Sequence, residues 1–497
     1  MNTDAFLVEK IDYEFEATGR STVTLIGPDA DKKSTHISLI VGANGTSKSR
    51  MLASLVEQFC EIHEQRNLEE PSRRFSAEGA HGVRCIGLST LSNGLATRFD
   101  RERIDSSEIM EHLALPSTIL ALSNLVMDKF HFPKGDAIEV GFYQYLGVRQ
   151  ATNLTTTGSL ERAVTEAVFS MAGDRARLSS FQSWIELLFG GSRELALMFP
   201  RSRHSDILKF LEIKDKNEFI LERMQRRAGP ARATSITPEL VEEITAKVTE
   251  LFEFIKGKVE YYEQRKKSGR KQVDFLLRFS ELNDNDKLRL PQMAQNFSAA
   301  QGVGFSVWPS FLFEAAPWLS FNQLSSGEQN ILSVGAKLIA YSKPGCLIAI
   351  DEPEVSLNVK WQQHYTTLIQ KSLFHAPGSH VLIATHSPHL IASVPAGKAS
   401  VVLVEKEAER LSFKTMDATF EGWGAESVLY QVLGIPSASS YLFNKELAKV
   451  LAHLQDGGVD KILIDAFLDT AMKLDFDGIE PLEEVVAEVK SYRESLN

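Results

Sequence analysis

Cysteine is scarce. The 497 residues hold three, Cys60, Cys85 and Cys346, scattered and without a CxxC pair. That number and spacing exclude a disulfide framework and a cysteine-ligated structural zinc, and make a reducing cytosol the expected compartment. Positive charge is in deficit too. Lys plus Arg is 54 against 65 for Asp plus Glu, a formal net charge of −11. A generally basic nucleic-acid coat is excluded, though one local basic patch is not. No apolar run approaches the roughly 18 residues that cross a bilayer. The opening, MNTDAFLVEKIDYEFEATGR, lacks the apolar core of a signal peptide. A cytoplasmic chain without membrane contact is expected. There is no internal repeat, low-complexity tract or sustained heptad. What is present is ordinary: 43% hydrophobic and 24% charged residues, on a length that buries several cores.

The patterning changes along the chain. Phe6 to Phe15 alternates, Ser21 to Ile26 is a short β-branched run, and HISLIV (36–41) reads as a buried strand. That strand runs into GANGTSKSR and then into the helical MLASLVEQFCEIHEQ. VRCIGL (83–88) is another strand. From about Asp105 to Phe254 helical spacing dominates, and one helix is expected from about Pro238 to Gln264. Strands return in VDFLLRF and FSVWPSFLFE, followed by a long helix after FNQLSSGEQ, the apolar strand CLIAIDEPE, a helix from near Val359 and the strand HVLIATHSP. A hairpin-like pair spans 400–417, and the tail from about Ala425 is helical and acidic. The expected organisation is an N-terminal lobe (1–100), a mainly helical insertion (101–272), a C-terminal lobe (273–420) and a helical tail (421–497). The tail either packs on the rest or docks a partner.

Four motifs carry chemistry. In GANGTSKS (42–49), a glycine-containing loop between strand and helix can cradle a phosphate with its amides. Gly42 and Gly45 allow close approach, Lys48 would meet the outer phosphates, and Ser49 would ligate Mg²⁺. Asn44, Thr46, Ser47 and Arg50 complete the candidate loop; a plain Ser/Gly turn is the alternative. CLIAIDEP (346–353) places Asp351 and Glu352 at the C-terminal edge of a buried strand, where open α/β sheets bind ligands. Asp351 would hold the Mg²⁺ shell and Glu352 would polarise an attacking water, unless the pair merely caps a helix. LSSGEQ (324–329) offers Ser325, Ser326, Gly327 and Glu328 as either a capped helix start or an anion site. His386 ends another buried strand, and a structural role competes with a catalytic one. With Pro388 between them, His386 and His389 make a poor metal pair.

The order and spacing of these motifs resemble the head of the ATP-binding-cassette (ABC) ATPases, in the split, RecF/SMC-like branch. The resemblance implies an α/β P-loop NTPase fold, with ATP and Mg²⁺ as cofactors. It implies LSSGEQ as the signature loop, Ser356, Leu357 and Asn358 as the D-loop, and His386 as the switch histidine that touches the γ-phosphate. The Q-loop glutamine has no secure place, Gln144 lying too far along. Ser47 stands where that family has glycine, which points to slow turnover.

GTSKSRML, YQYLGVR (143–149), DEPEVSLNVKWQ (351–362) and GWGAESVLYQVLGIPS (422–437) are similar to bacterial anti-phage ATPases: the overcoming-lysogenisation-like enzymes and, more narrowly, the ATPase of the Septu system. This implies a homodimer or higher oligomer closed by ATP-sandwich contacts, working with a separate HNH endonuclease. The alternative is a RecF-like ATPase of DNA repair or maintenance that acts on DNA itself. A transporter ATPase subunit fits less well, because of the long insertion. No nuclease domain is expected here: VVLVEKEAE (401–409) has Lys406 where a Toprim domain has glycine, and Asp465 and Asp469 are four apart in a helical context. Basic stretches at 222–232 and 264–272 are solvated faces or, as a second reading, DNA contacts.

Overall fold

The computed structural model describes residues 5–27, 31, 34–67, 82–101, 112–125, 127–131, 141–147, 157–190, 194–228, 236–265, 271–314, 318–355, 357–394, 398–407, 410–416, 420, 422–432, 447–452, 461–471 and 480–495. The chain divides into two compact units, 1–422 and 423–497.

The first unit is built on three sheets. The strands are β1 (Phe6–Phe15), β2 (Gly19–Thr24), β3 (His36–Gly42), β4 (Val83–Ser92), β5 (Leu95–Asp100), β6 (Ile119–Ser123), β7 (Tyr143–Tyr145), β8 (Leu195–Pro200), β9 (Glu260–Arg265), β10 (Lys271–Arg278), β11 (Ser310–Glu314), β12 (Trp318–Ser320), β13 (Leu347–Asp351), β14 (His380–Thr385), β15 (Ala399–Glu407) and β16 (Arg410–Met416). The largest sheet runs β16-β15-β3-β14-β13-β6-β7. Its strands are parallel except for the edge strand β16, which returns antiparallel from β15. Every residue of β3, β6, β13 and β14 is buried, which is why these segments read as unbroken apolar runs: a parallel sheet is covered on both faces.

An antiparallel sheet, β2-β1-β4-β5, lies across the helix Lys48–Arg66. The apolar face of that helix (Met51, Leu52, Leu55, Val56, Phe59) joins one core with Ile11 and Leu88 on one side and with Leu347 and Leu382 on the other. The helix that follows the phosphate-type loop is thus clamped between two sheets.

The third sheet, β12-β11-β8-β10-β9, is antiparallel and belongs to a lobe rich in helices. Phe210, Phe252 and Phe305 form its aromatic centre, with ring centroids 5.0–5.4 Å apart in edge-to-face geometry. Here the expected helix to Gln264 stops at Lys258 instead, and Glu260–Arg265 is a strand paired with β10. Backbone pairing with Lys271–Leu276 supplies the hydrogen bonds that a longer helix would have made.

Two further differences come from short or weakly patterned segments. Residues 119–123 and 143–145, expected in a mainly helical stretch, are β6 and β7 of the parallel sheet. Residues 284–302 form a helix despite Pro291, started by Asn283, whose side chain accepts from the amide of Asp286.

The second unit has its own small core of Val450, Ile464, Phe467, Ala471 and Val489. Arg493 pairs with Asp465 across two of its helices at 2.7 and 2.8 Å. Asp465, the first of the two aspartates in KILIDAFLDT, therefore serves an ion pair between helices.

Candidate functional site

Three neighbouring strands, β3, β14 and β13, deliver their C-terminal ends to one edge of the parallel sheet. β3 ends at Gly42, β14 at Thr385 before His386, and β13 at Asp351 before Glu352. Sequence positions more than 300 apart converge there because parallel strands in register align their carboxyl ends.

The loop Ala43–Ser47 joins β3 to the helix that starts at Lys48. Gly42 passes so close to the Val404 carbonyl that a Cβ would collide with it, so glycine is required. Thr46 Oγ1 donates to the Ala43 carbonyl at 2.8 Å and tightens the turn. Lys48 is buried, and its Nζ donates to the carbonyls of Gly42 (2.8 Å) and Ala43 (3.0 Å). Burial lowers its pKa, while Glu352, Glu354 and Asp351 oppose the shift. Ser47 sits at φ 65, in the left-handed region, which explains why glycine suits this position better. Arg50, on the first helical turn, is exposed and borders a pocket of about 190 Å³ shared with Gly45, Ser47, Phe15 and Lys406.

Opposite this loop, Ser49 Oγ donates to Asp351 Oδ1 at 2.7 Å. Hydroxyl and carboxylate together are the hard oxygen donors that Mg²⁺ takes alongside phosphate and water. Burial pushes the Asp351 carboxyl up to about 7; Glu352, Asp128 and Glu354 push the same way, and the Ser49 hydrogen bond resists. A buried, mutually repelling carboxylate group short of positive charge fits a divalent cation. Among the described residues no cluster of three His, Cys, Asp or Glu side chains forms an all-protein metal cage.

Glu352 is the second left-handed residue of the site, at φ 45. Its amide donates to the Ala384 carbonyl at 2.9 Å, which ties the exit of β13 to β14. Its Oε1 lies 3.8 Å from His386 Nδ1. His386 is about half exposed and lies nearer to Glu354, at 3.2 Å. Glu354 was not among the residues singled out from sequence, although DEPE announces it as a third acid beside the pair.

Ser325 and Glu328 form a reciprocal cap on the helix Ser326–Tyr341. The Ser325 amide donates to Glu328 Oε2 at 2.7 Å and the Glu328 amide to Ser325 Oγ at 3.4 Å. The structure shows the capped helix start, with Ser325 and Ser326 exposed and Gly327 partly so. Asn358 caps the next helix through the Trp361 amide; Ser356 lies outside the described residues. Gln144 lies on β7 opposite Leu120, three residues below the level of Asp351 and Ser123 in the sheet register, so the structure does not bring it to this edge.

Of the basic stretches, 229–232 and 266–270 lie outside the described residues. Arg223 stacks over the rings of Phe219 and Phe305 (4.9 and 4.3 Å) and donates to the Val303 carbonyl, while Arg226 pairs with Glu222. These two arginines are engaged within the chain.

Residues 223–392 match a family model described as an AAA domain, putative AbiEii toxin, Type IV TA system. No curated protein sequence matches the chain. Among solved structures, it is similar to an Smc head bound to the C-winged helix domain of ScpA, at 13% identity and a TM-score of 0.29, covering 82% of this chain and 97% of that one. It is similar to the Smc head with an extended coiled coil bound to the C-terminal domain of ScpA from Pyrococcus furiosus (13%, TM-score 0.31, 83% and 96% covered). A third is the SMC head domain from Thermotoga maritima (10%, TM-score 0.31, 83% and 99% covered). No helix among the described residues is long and apolar enough to cross a membrane. The loop Gly42–Ser49, the pair Asp351 and Glu352, and His386 thus meet at one edge of the parallel sheet in a mixed α/β fold.

Proposed function

We propose that the chain binds and hydrolyses ATP as an ABC-type ATPase, and that it assembles with a separate HNH endonuclease and controls it in anti-phage defence. The observation that carries the ATPase part is the 2.7 Å contact between Ser49 and Asp351. It joins the phosphate loop to the acidic strand end at the place where a phosphate-bound Mg²⁺ belongs.

In this reading Lys48 and the loop amides from Asn44 to Ser49 hold the outer phosphates. Ser49 and Asp351 hold the ion, which when bound neutralises phosphate charge. Glu352 accepts a hydrogen bond from the attacking water and orients it, and His386 reaches the terminal phosphate. Ser325, Ser326, Gly327 and Glu328 serve the site of a second copy, so that ATP joins an isologous pair. Ser47 makes turnover slow. The nuclease partner rests on the likeness of GTSKSRML, YQYLGVR, DEPEVSLNVKWQ and GWGAESVLYQVLGIPS to the Septu-type ATPases.

The test is Mg²⁺-dependent ATP binding and turnover by the full chain beside Glu352→Gln. Wild type should hydrolyse ATP, and the variant should bind it with turnover lower by about 10²-fold or more. Binding without turnover in both would reduce the chain to a nucleotide sensor, and no binding would remove the reading. For the partner, an HNH protein encoded beside this chain should co-purify with it; repair or replication neighbours and no such capture would favour the RecF-like alternative.

A further inference from the structure

The helices Arg175–Phe189 and Val359–Ser372 pack against each other and leave two adjoining pockets, of about 550 and 240 Å³. Leu187 and Lys371 line both, so the two pockets form one groove. No residue proposed for the nucleotide site lines it. On the second helix the lining positions Lys360, His364, Thr367 and Lys371 follow at intervals of four, three and four, which is one face of a helix. Leu368 and Trp361 lie beside that face, and Trp184 and Leu187 come from the opposite wall. Leu187 is 50% exposed and Phe374 84%, so large apolar side chains lie open along the groove. Open apolar surface of this kind marks a place where another molecule sits.

Charge says which molecule. The helix Val359–Ser372 contains Lys360, His364 and Lys371 and no Asp or Glu. All three are exposed on the groove face, and among the described residues neither lysine is in an ion pair. Glu186 is the one acid among the lining residues. On a chain of net charge −11 this is a local reversal of sign. Lys360 and Lys371 are about 16 Å apart along their helix, three turns. An apolar floor with a lysine toward each end fits the apolar stripe and flanking carboxylates of a helix, laid in as a third neighbour. A nucleic-acid strand would meet the lysines but leave the apolar floor uncovered. The chain's own acidic helix Glu480–Ser495 already commits Val486, Val489 and Tyr492 to the core of its unit.

We propose that this groove receives an acidic amphipathic helix of a partner protein, its apolar residues against Leu187, Leu368 and Phe374 and its carboxylates on Lys360 and Lys371. This stands apart from the ATPase reading and survives its failure.

The test uses the full chain and three labelled peptides of about 18 residues. One has leucines three and four apart with glutamates on the flanks; the second has lysine for every glutamate; the third has the acidic composition with the leucines out of helical register. The acidic amphipathic peptide should bind about tenfold or more tightly than either control, and more weakly as salt rises. In the double variant Lys360→Glu, Lys371→Glu the preference should reverse, each affinity moving by about tenfold. Leu187→Asp, at an exposed position, should abolish binding of the acidic and the lysine peptide alike. An unchanged urea midpoint in these surface variants shows that the fold is retained. Wild type that ignores the acidic peptide at about 1 mM, or a preference untouched by the double variant, would overturn the proposal. So would binding of oligo(dT) in place of the peptide, lost in the double variant, which would give the lysines to nucleic-acid phosphates. Self-association of the chain that excludes the peptide and is lost in Leu187→Asp would give the groove to a second copy, and would overturn it too.

Discussion

Among the described residues three non-glycine residues adopt positive φ, Ser47, Asn93 and Glu352, and two of them lie at the edge where β3 and β13 end. Asn93 belongs to the tight β4–β5 turn with Gly94, where asparagine is at home. Ser47 and Glu352 have no such local excuse, and strain of this kind persists only where the surroundings enforce it. For Ser47 the enforcement is the start of the buried helix: its carbonyl accepts from the Met51 amide at 2.9 Å, while its side chain makes no capping bond. Removing the Cβ should therefore cost nothing and relieve the left-handed strain. Ser47→Gly is expected to stabilise unit 1 by about 1 kcal/mol, read as a higher urea midpoint, and to bind ATP at least as tightly. A lower midpoint would mean that the serine side chain contributes something the geometry does not reveal. Position 47 was legible as a departure from the P-loop pattern; that the departure is conformational rather than a matter of bulk was not, because φ is not written in a motif.

Below the phosphate edge, the opposite ends of the same strands carry a buried polar network. His36 and His380 face each other across β3 and β14, ring centroids 5.6 Å apart. Val8 N donates to His380 Nδ1, Ser38 Oγ lies 3.0 Å from His380 Nε2, and Ser400 Oγ lies 3.1 Å from His36 Nε2. Burial lowers the pKa of His36 to about 4 and that of His380 well below its ordinary value, the latter helped by His36; Asp31 opposes the shift at His36. The unfolded chain takes up these protons near pH 6.5, whereas the folded chain does not until near pH 4 or below. Between those values the unfolded state binds more protons, so stability falls as pH falls. Asp351 acts oppositely, since its raised carboxyl binds a proton in the folded state up to about pH 7. Measured in an Asp351→Asn background, unfolding free energy should drop from pH 7 to pH 5 by about 2 kcal/mol per histidine. A flat profile would show that the rings are charged in the fold.

The strands that build both ends were readable where burial is complete, as in HISLIV, CLIAID and HVLIAT. β7 escaped because three residues carry too little periodicity, and β6 because its short apolar run ILALS stands in a stretch dominated by helical spacing. The strand at 260–265 escaped because the helical pattern before it runs on past Lys258, and pairing with β10 is a tertiary fact. The acidic and phosphate motifs were legible because each is a contiguous string beside a strand. Glu354 was missed because its partners, Thr385 and His386, are more than 30 residues away.

At the scale of the whole molecule, the division between Gly422 and Trp423 separates two cores. Among the described residues the large cluster around the helix Lys48–Arg66 draws on positions from Phe6 to Leu411. The small one has Val450, Ile464, Phe467, Ala471 and Val489 of the tail as its described members. A chain ended at Gly422 keeps every described residue of the large cluster, and with it the hydrophobic burial that is the dominant stabilising term there. Docking the nuclease partner is the use of the acidic tail that the proposed function needs. Residues 1–422 are expected to be soluble, to unfold at the same urea concentration as that unit does in the full chain, and to bind Mg²⁺-ATP with unchanged affinity while losing capture of the HNH protein. Capture retained by the truncated chain would move the docking surface onto the head. An aggregated 1–422 would mean instead that the tail completes the head's surface, and that docking must be sought elsewhere.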